Sequence, residues 1–415
     1  MRAHIFLMLV IIWFPVASAQ TSGGGTPQVL DFLLLGDVSG WPNFLGNDEP
    51  AIDVTLVPCR AFGQDGGLEH GEMFEYLQRW SRIYFPRSRD SLLDYEVLFF
   101  NHPRLSFFTM PQQLMMVDFI GTDDRVTIAY PLSHYDDVQQ PWLASPVSEA
   151  IPIDYELFIS ACHEGWGQWD GLSRLRVEPG RPPIFSTFGG TGIYSSRIYR
   201  QFRPALPREG ATIWLHGMDG PVRMPEAPAF VSWPYGETEA WGFGIHPGTG
   251  DPHFIEAGKW WELIFLSMCY YTIRGEVMQF DEALRKLSVK DLFLVYRETS
   301  SLFHRMTDFV DKFGANTAEA GRLLTEAEEI RGEAEALYLD MDYDSAVNLM
   351  GDALETARLA MEEANKAKDR ALLWIYISQW MATTAVAFIS GVVLWWLMIR
   401  RRLYREVTTT QLSSR

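Results

Sequence analysis

Apolar and polar positions along the chain follow three successive regimes. From Gln28 to about Gly275, short runs rich in β-branched and aromatic residues alternate with amphipathic runs of helical period. This is the pattern of an α/β layer. It predicts strands over residues 29–35, 52–57, 95–100, 126–130, 183–185, 212–216, 229–233 and 241–245. Helices are predicted over 71–84, 111–120 and 256–273, the second with proline in its first turn. The fold class implied is a doubly wound, mostly parallel sheet of flavodoxin-like type over residues 28–275. The stretch from Ser133 to Gly190, rich in proline, glycine and tryptophan, follows neither period.

After Phe280 the prolines vanish, and alanine, leucine, glutamate and lysine dominate. That composition favours helix in every window. Three helices are predicted, over 289–313, 317–339 and 345–368, with breaks at 314–316 and 340–344. Leu323, Leu324, Ala327, Ile330, Ala334 and Leu337 recur at helical spacing, so the segments are expected to pack together as a stalk over 282–370.

The third regime is purely apolar. Residues 371–399 contain no charge, and as a helix they extend about 43 Å, more than the ~30 Å hydrocarbon core requires. They are expected to span the lipid bilayer once, with some tilt, and to be followed by a basic cytoplasmic tail, 400–415. Trp374, Trp380, Trp395 and Trp396 lie near the ends of the run, where indole rings favour the headgroup layer. A second apolar run, 5–16, precedes Ala17-Ser18-Ala19, the small-residue pattern of a signal-peptide cleavage site, so 1–19 is read as a signal peptide. An exported N-terminus agrees with Arg400, Arg401, Arg402 and Arg405 directly after the span. The expected localisation is the cell membrane, single-pass, with the N-terminal domain outside and the C-terminus in the cytoplasm.

The formal net charge is −18. Because the tail is basic, the exported part is more acidic still, which argues against a nucleic-acid partner. Three cysteines, Cys59, Cys162 and Cys269, are too few for a disulfide scaffold. Cys269, in an apolar helical run, is expected to be a core residue, and a Cys59–Cys162 bridge stays open. No Asn-x-Ser/Thr sequon is present, so N-glycans are not expected. No cofactor is implied.

Ligands of open α/β sheets sit outside the carboxyl ends of the strands. At those ends the predicted elements place Asp37, Asn101, His102, Ser133, His134, His216 and His246. Asp37, Asn101, His102, His216 and His246 are the candidate ligand-binding residues. His246, Ser133 and His134 are the catalytic candidates, Ser133 needing a base within about 3 Å and an oxyanion hole. His246, Asp251 and His253 offer mixed nitrogen and oxygen ligands of a kind zinc accepts, against the simpler reading of an Asp-Pro turn. His163-Glu164 is indeterminate.

The order Asp94–Asn101, a turn, 111–121 and 126–130, followed by Ala227–Gly236, 241–247 and the tryptophan-rich helix at Lys259, resembles the class I glutamine amidotransferase-like fold, trehalose-utilisation-type relatives included. The resemblance covers about residues 28–275. It implies a Gly-x-Cys-x-Gly elbow after the strand 126–130 and a His-Pro-Glu element. His246-Pro247 matches the histidine part, but Gly248 stands where Glu is expected. The elbow position reads Pro131-Leu132-Ser133-His134-Tyr135, with no cysteine and no glycine for a strained turn. The small residues around Tyr343–Met350 also look like one helix pair of a tetratricopeptide-type repeat, and a single pair makes no array. These readings favour a non-catalytic, membrane-tethered ectodomain that binds a small ligand or a membrane or extracellular protein. An extracytoplasmic hydrolase or amidotransferase-like enzyme using Ser133 or a metal, and a structural component of a membrane assembly, are the alternatives.

Overall fold

The structure, a computed structural model, describes residues 29–37, 49–60, 72–130, 141–164, 169–194, 199–218, 220, 224–246 and 252–412. Its head begins with β1 (Leu30–Asp37), β2 (Ile52–Arg60), α1 (Glu72–Tyr84), α2 (Arg89–Leu92), β3 (Val97–Asn101), α3 (Met110–Ile120) and β4 (Val126–Tyr130). Then come α4 (Val147–Ala150), α5 (Tyr155–His163), β5 (Trp169–Ser173), β6 (Leu175–Val177), β7 (Tyr199–Phe202) and β8 (Thr212–Met218). The strands β9 (Glu226–Tyr235), β10 (Thr238–Phe243) and β11 (Ile245–His246) and the helix α6 (Pro252–Arg274) close the head.

Eight strands form one sheet in the order β2-β1-β3-β4-β10-β9-β8-β6, and β11-β7-β5 form a small second sheet. In β3 and β4, VLFFN and VTIAY, every residue is buried, as expected of strands covered on both faces. Neighbouring residues point to opposite faces. Phe99 meets Phe265 of α6 at 5.7 Å between ring centroids, whereas Phe100 meets Trp142 at 5.8 Å. The α6 side is fused by a ring stack, Tyr130–Phe243 at 4.9 Å and Phe230–Trp261 at 5.3 Å. These aromatic pairs add to the area they bury.

The sheet is mixed rather than mostly parallel. Four pairings, those joining β2, β1, β3, β4 and β10, are parallel, and the three joining β10, β9, β8 and β6 are antiparallel. The cause is local: β9 turns directly into β10 through Gly236 at φ 62°, and a tight hairpin can join only antiparallel strands. The strand expected at 183–185 is absent. Those residues form a turn leading into a 3₁₀ helix, Ser186–Thr191, because Pro182 and Pro183 have no N–H for a ladder. The strands β5, β6 and β7 and the helices α2, α4 and α5 are short elements that periodicity did not mark, and the strand expected over 241–245 is divided between β10 and β11.

The rest is a down-up-down bundle of α7 (Phe280–Asp311), α8 (Ala318–Leu339) and α9 (Tyr343–Leu412). Its seam on α9 is Ala346, Met350, Ala353, Ala357, Ala360, Ala364 and Ala367, all buried. The alternating four- and three-residue spacing is that of a and d positions in a heptad. α8 presents Ala320, Leu324, Ala327, Ala334 and Tyr338 to it, while Leu323, Ile330 and Leu337 are only partly buried. With alanine at most seam positions the helices approach closely, so added volume has nowhere to go. Beyond the seam α9 changes character. It is long and apolar enough to cross a membrane, and its large side chains stand exposed, Trp380 at 74% and Phe388 at 72%.

Ala357→Leu inserts three carbons into this seam. It is expected to destabilise the bundle by about 1–3 kcal/mol, read as a lower urea midpoint of the helical signal.

Candidate functional site

Two clusters of buried polar groups occupy opposite edges of the large sheet. The first lies at the carboxyl ends of β1, β3 and β4. Strand order reverses here, β2 lying to one side of β1 and β3 to the other, which is where α/β sheets open a crevice. Gly36 of β1 pairs with Asn101 of β3. With φ at 146°, a Cβ on Gly36 would fall 1.7 Å from the Asn101 carbonyl oxygen, so only glycine lets the two backbones approach this closely. Asn101 is buried, and among the described residues its Nδ2 has no hydrogen-bond partner.

His102 follows at φ 49°, a left-handed conformation uncommon outside glycine. It is held there by its N–H donating to the Tyr130 carbonyl at 3.0 Å and by its ring edge against Tyr130, 4.2 Å between centroids. Arg104, also buried, lies over the rings of Phe74 and Phe107 at 5.0 and 5.5 Å. The chain thus turns an amide, an imidazole and a guanidinium inward within four residues of the end of β3.

The sequence candidates separate around this edge. The backbone of Asp37 ends β1 beside Asn101 and His102. His216 does not join them: it sits on β8, four strands from β3, about 19 Å at ordinary strand spacing, and pairs with Glu178 at 3.1 Å. The backbone of His246 leaves the main sheet after β10 and pairs with Gln201 in the small sheet. Ser133, His134 and Asp251 lie outside the described residues, and of His253 only its place in the first turn of α6 is described. Among the described residues no group of three His, Cys, Asp or Glu side chains could hold a metal ion. His163 and Glu164 are exposed at the end of α5.

The second cluster lies at the opposite edge, where the bundle meets the head. Lys290 of α7 is buried between Glu262 of α6, to which its ammonium donates, and Glu49, just ahead of β2, at 3.4 Å. Glu49 also accepts from the Tyr338 hydroxyl at 2.7 Å and the Ala51 N–H at 3.2 Å. Lys286, one turn before Lys290, places its ammonium 4.9 Å from the Tyr338 ring centroid and 5.6 Å from that of Tyr343. Its Nζ has no hydrogen-bond partner among the described residues.

Burial pushes the Glu49 carboxyl up, but the Lys290 and Lys286 charges and the two hydrogen bonds outweigh it and hold it below the usual carboxylate range. Burial depresses both lysines. At Lys290 the charges of Glu262 and Glu49 win and hold it above its ordinary value, whereas Lys286 stays below. Burial and the Glu49 charge raise the Tyr338 hydroxyl. Sequence reasoning passed over these residues, although two signals were present: Glu262 is the one charge between Lys259 and Arg274, and Lys286 and Lys290 share a helix face. A groove of about 940 Å³ opens beside this junction, lined by Asp53, Tyr296, Ser300, His304, Arg305 and Glu335 among others.

No family model matches this chain, and no curated protein does. Two solved structures are similar over part of it. "Cytoplasmic Protein STM3548 from Salmonella typhimurium" is 13% identical with a TM-score of 0.39, covering 57% of this chain and 98% of its own. "Cytoplasmic Protein STM1381 from Salmonella typhimurium LT2" is 12% identical with a TM-score of 0.37 and the same coverage.

Removing Lys290 takes from the buried Glu262 and Glu49 carboxylates the ammonium that they share. Lys290→Met is expected to lower stability by about 3–5 kcal/mol in urea unfolding of the full chain, and adding Glu262→Met should recover part of the loss. A pH effect arises at the same edge, where burial, then Glu96, Asp53 and Asp94, push the Asp31 carboxyl up to about 6 from 3.8. With a folded value above the unfolded one, its stabilising contribution is present at low pH and lost as pH rises through about 6. Asp31→Asn should therefore stabilise at pH 8 by roughly 1 kcal/mol after solvent screening, the gain disappearing near pH 4 in melting curves.

Proposed function

We propose that this chain is a membrane-anchored, extracytoplasmic binding protein whose head takes a small polar ligand at the carboxyl edge of β1, β3 and β4. The observation that carries the reading is the buried Asn101 amide without a hydrogen-bond partner among the described residues, at the strand-order reversal and beside a strained His102. A buried donor left unsatisfied costs about 1–3 kcal/mol, and a ligand carbonyl or carboxylate oxygen would satisfy it. Backbone strain of the His102 kind clusters at functional sites.

The order β2-β1-β3-β4 supports the doubly wound, amidotransferase-like outline inferred from the sequence. Binding is favoured over thiol catalysis by the cysteines. Cys59 is buried within β2 and Cys269 within α6, where burial raises its thiol far above the ordinary range. Neither stands at the carboxyl end of β4. Anchorage is supported by the exposed apolar run of α9, and the outside position of the head by the N-terminal apolar run and the arginines after the span.

Asn101→Leu separates binding from folding. In the unliganded protein it should raise the melting temperature, since a buried donor without a partner is removed. A small carboxylate or amide ligand found by thermal shift should stabilise the wild type by about 2.7 kcal/mol at a hundredfold excess over Kd and leave the variant unmoved. A ligand shift that survives in the variant would place binding elsewhere.

A further inference from the structure

We propose that the turn between α7 and α8 is a second membrane contact, a foot that rests on the lipid surface beside the span. This deepens the reading of residues 371–399 as a membrane-crossing helix and rests on it. Phe309 and Phe313 at the end of α7 are 51% and 41% exposed, their rings 5.0 Å apart, while Val310 between them is buried. Gly314, at φ 69°, turns the chain back.

The turn is not far from the span in space. A cavity of about 530 Å³ between them is lined by Phe313, Gly314 and Asn316 on one side and by Arg370, Trp374 and Ser378 on the other. Ser378 is seven residues, or about 10 Å of helical rise, inside the uncharged run. That run exceeds the hydrocarbon core by about 13 Å, roughly 6 Å at each end. The turn therefore lies level with the headgroups and the upper acyl chains.

The local charges fit that depth. Lys312 and Arg370 make no ion pair among the described residues, and long cationic side chains reach from an apolar boundary to lipid phosphates. The acidic Asp311 is turned to the Thr317 hydroxyl at 3.1 Å. Val295 and Leu302 continue the same face of α7 at seven-residue spacing away from the span, 47% and 56% exposed. A second copy of the chain would cover all four residues, whereas a bilayer reaches only the last two.

The test uses the full chain with Cys162→Ser, reconstituted into phosphatidylcholine–phosphatidylglycerol vesicles. Single nitroxide labels are placed through Leu302→Cys, Phe309→Cys, Phe313→Cys and, as reference, Phe388→Cys. Labels at 309 and 313 should collide more with lipid-soluble oxygen than with an aqueous nickel chelate, less deeply than at 388, while 302 shows the reverse. Aqueous readings at 309 and 313 with 388 in lipid would overturn the foot and leave the span standing. An aqueous reading at 388 would remove the span and the foot with it. Shielding of 302 and 309 from both reagents, with dipolar broadening, would assign the face to a second copy instead.

Discussion

Lys290 brings together two carboxylates from opposite ends of the head's sequence, Glu49 ahead of β2 and Glu262 on α6, and it does so from a helix of the bundle. Buried ion pairs of this kind add little net stability compared with apolar packing, whereas breaking one leaves a costly buried charge. An apolar junction would tolerate a shifted helix. A junction with two carboxylates, an ammonium and the Tyr338 hydroxyl disfavours registers that would leave Glu49 or Glu262 without Lys290. Lys286, without a hydrogen-bond partner among the described residues and facing two rings, adds a positive potential that keeps Glu49 ionised. The cluster ties α7 and α8 of the bundle to α6 and to the segment ahead of β2.

The two buried polar clusters stand at opposite edges of the sheet. Glu49 and Ala51 lie at the amino ends of β1 and β2, so the bundle leaves from one edge of the sheet. Asn101 and His102 lie at the other, about 25 Å away along an eight-residue strand. The carboxyl edge is therefore left uncovered by the bundle. The alanine seam continues the same logic below. Small residues at a and d positions hold α8 and α9 close along their length.

Much of this was legible in the sequence where a single physical requirement repeats. The long helices of the bundle, the uncharged run and the buried strands β1 to β4 each rest on a periodicity that local chemistry enforces, and their predicted positions agree with the structure to within a few residues, except that α7 begins at Phe280, nine residues ahead of the predicted start at 289. The reading failed where the signal was a single residue or a pairing. Residues 183–185 look like a strand by composition, but two prolines deny it a ladder. The small sheet is built from strands of two to five residues, too short for a period to emerge. His216 was grouped with Asn101 because both end a strand, and strand order alone sets them four positions apart.

The sequence by itself determined the regimes: an alternating layer, an alanine-rich bundle, and an apolar helix with exposed tryptophans, since hydrophobic period and composition act within a few turns of the chain. Only the tertiary structure decided which charged residues are buried together. Glu49, Glu262 and Lys290 are ordinary surface residue types, and although Glu262 stands alone in an apolar helix and Lys290 shares a face with Lys286, nothing local says which of them meet. Coulomb attraction acts on distance in space, so their role exists only once the sheet and bundle have folded against each other.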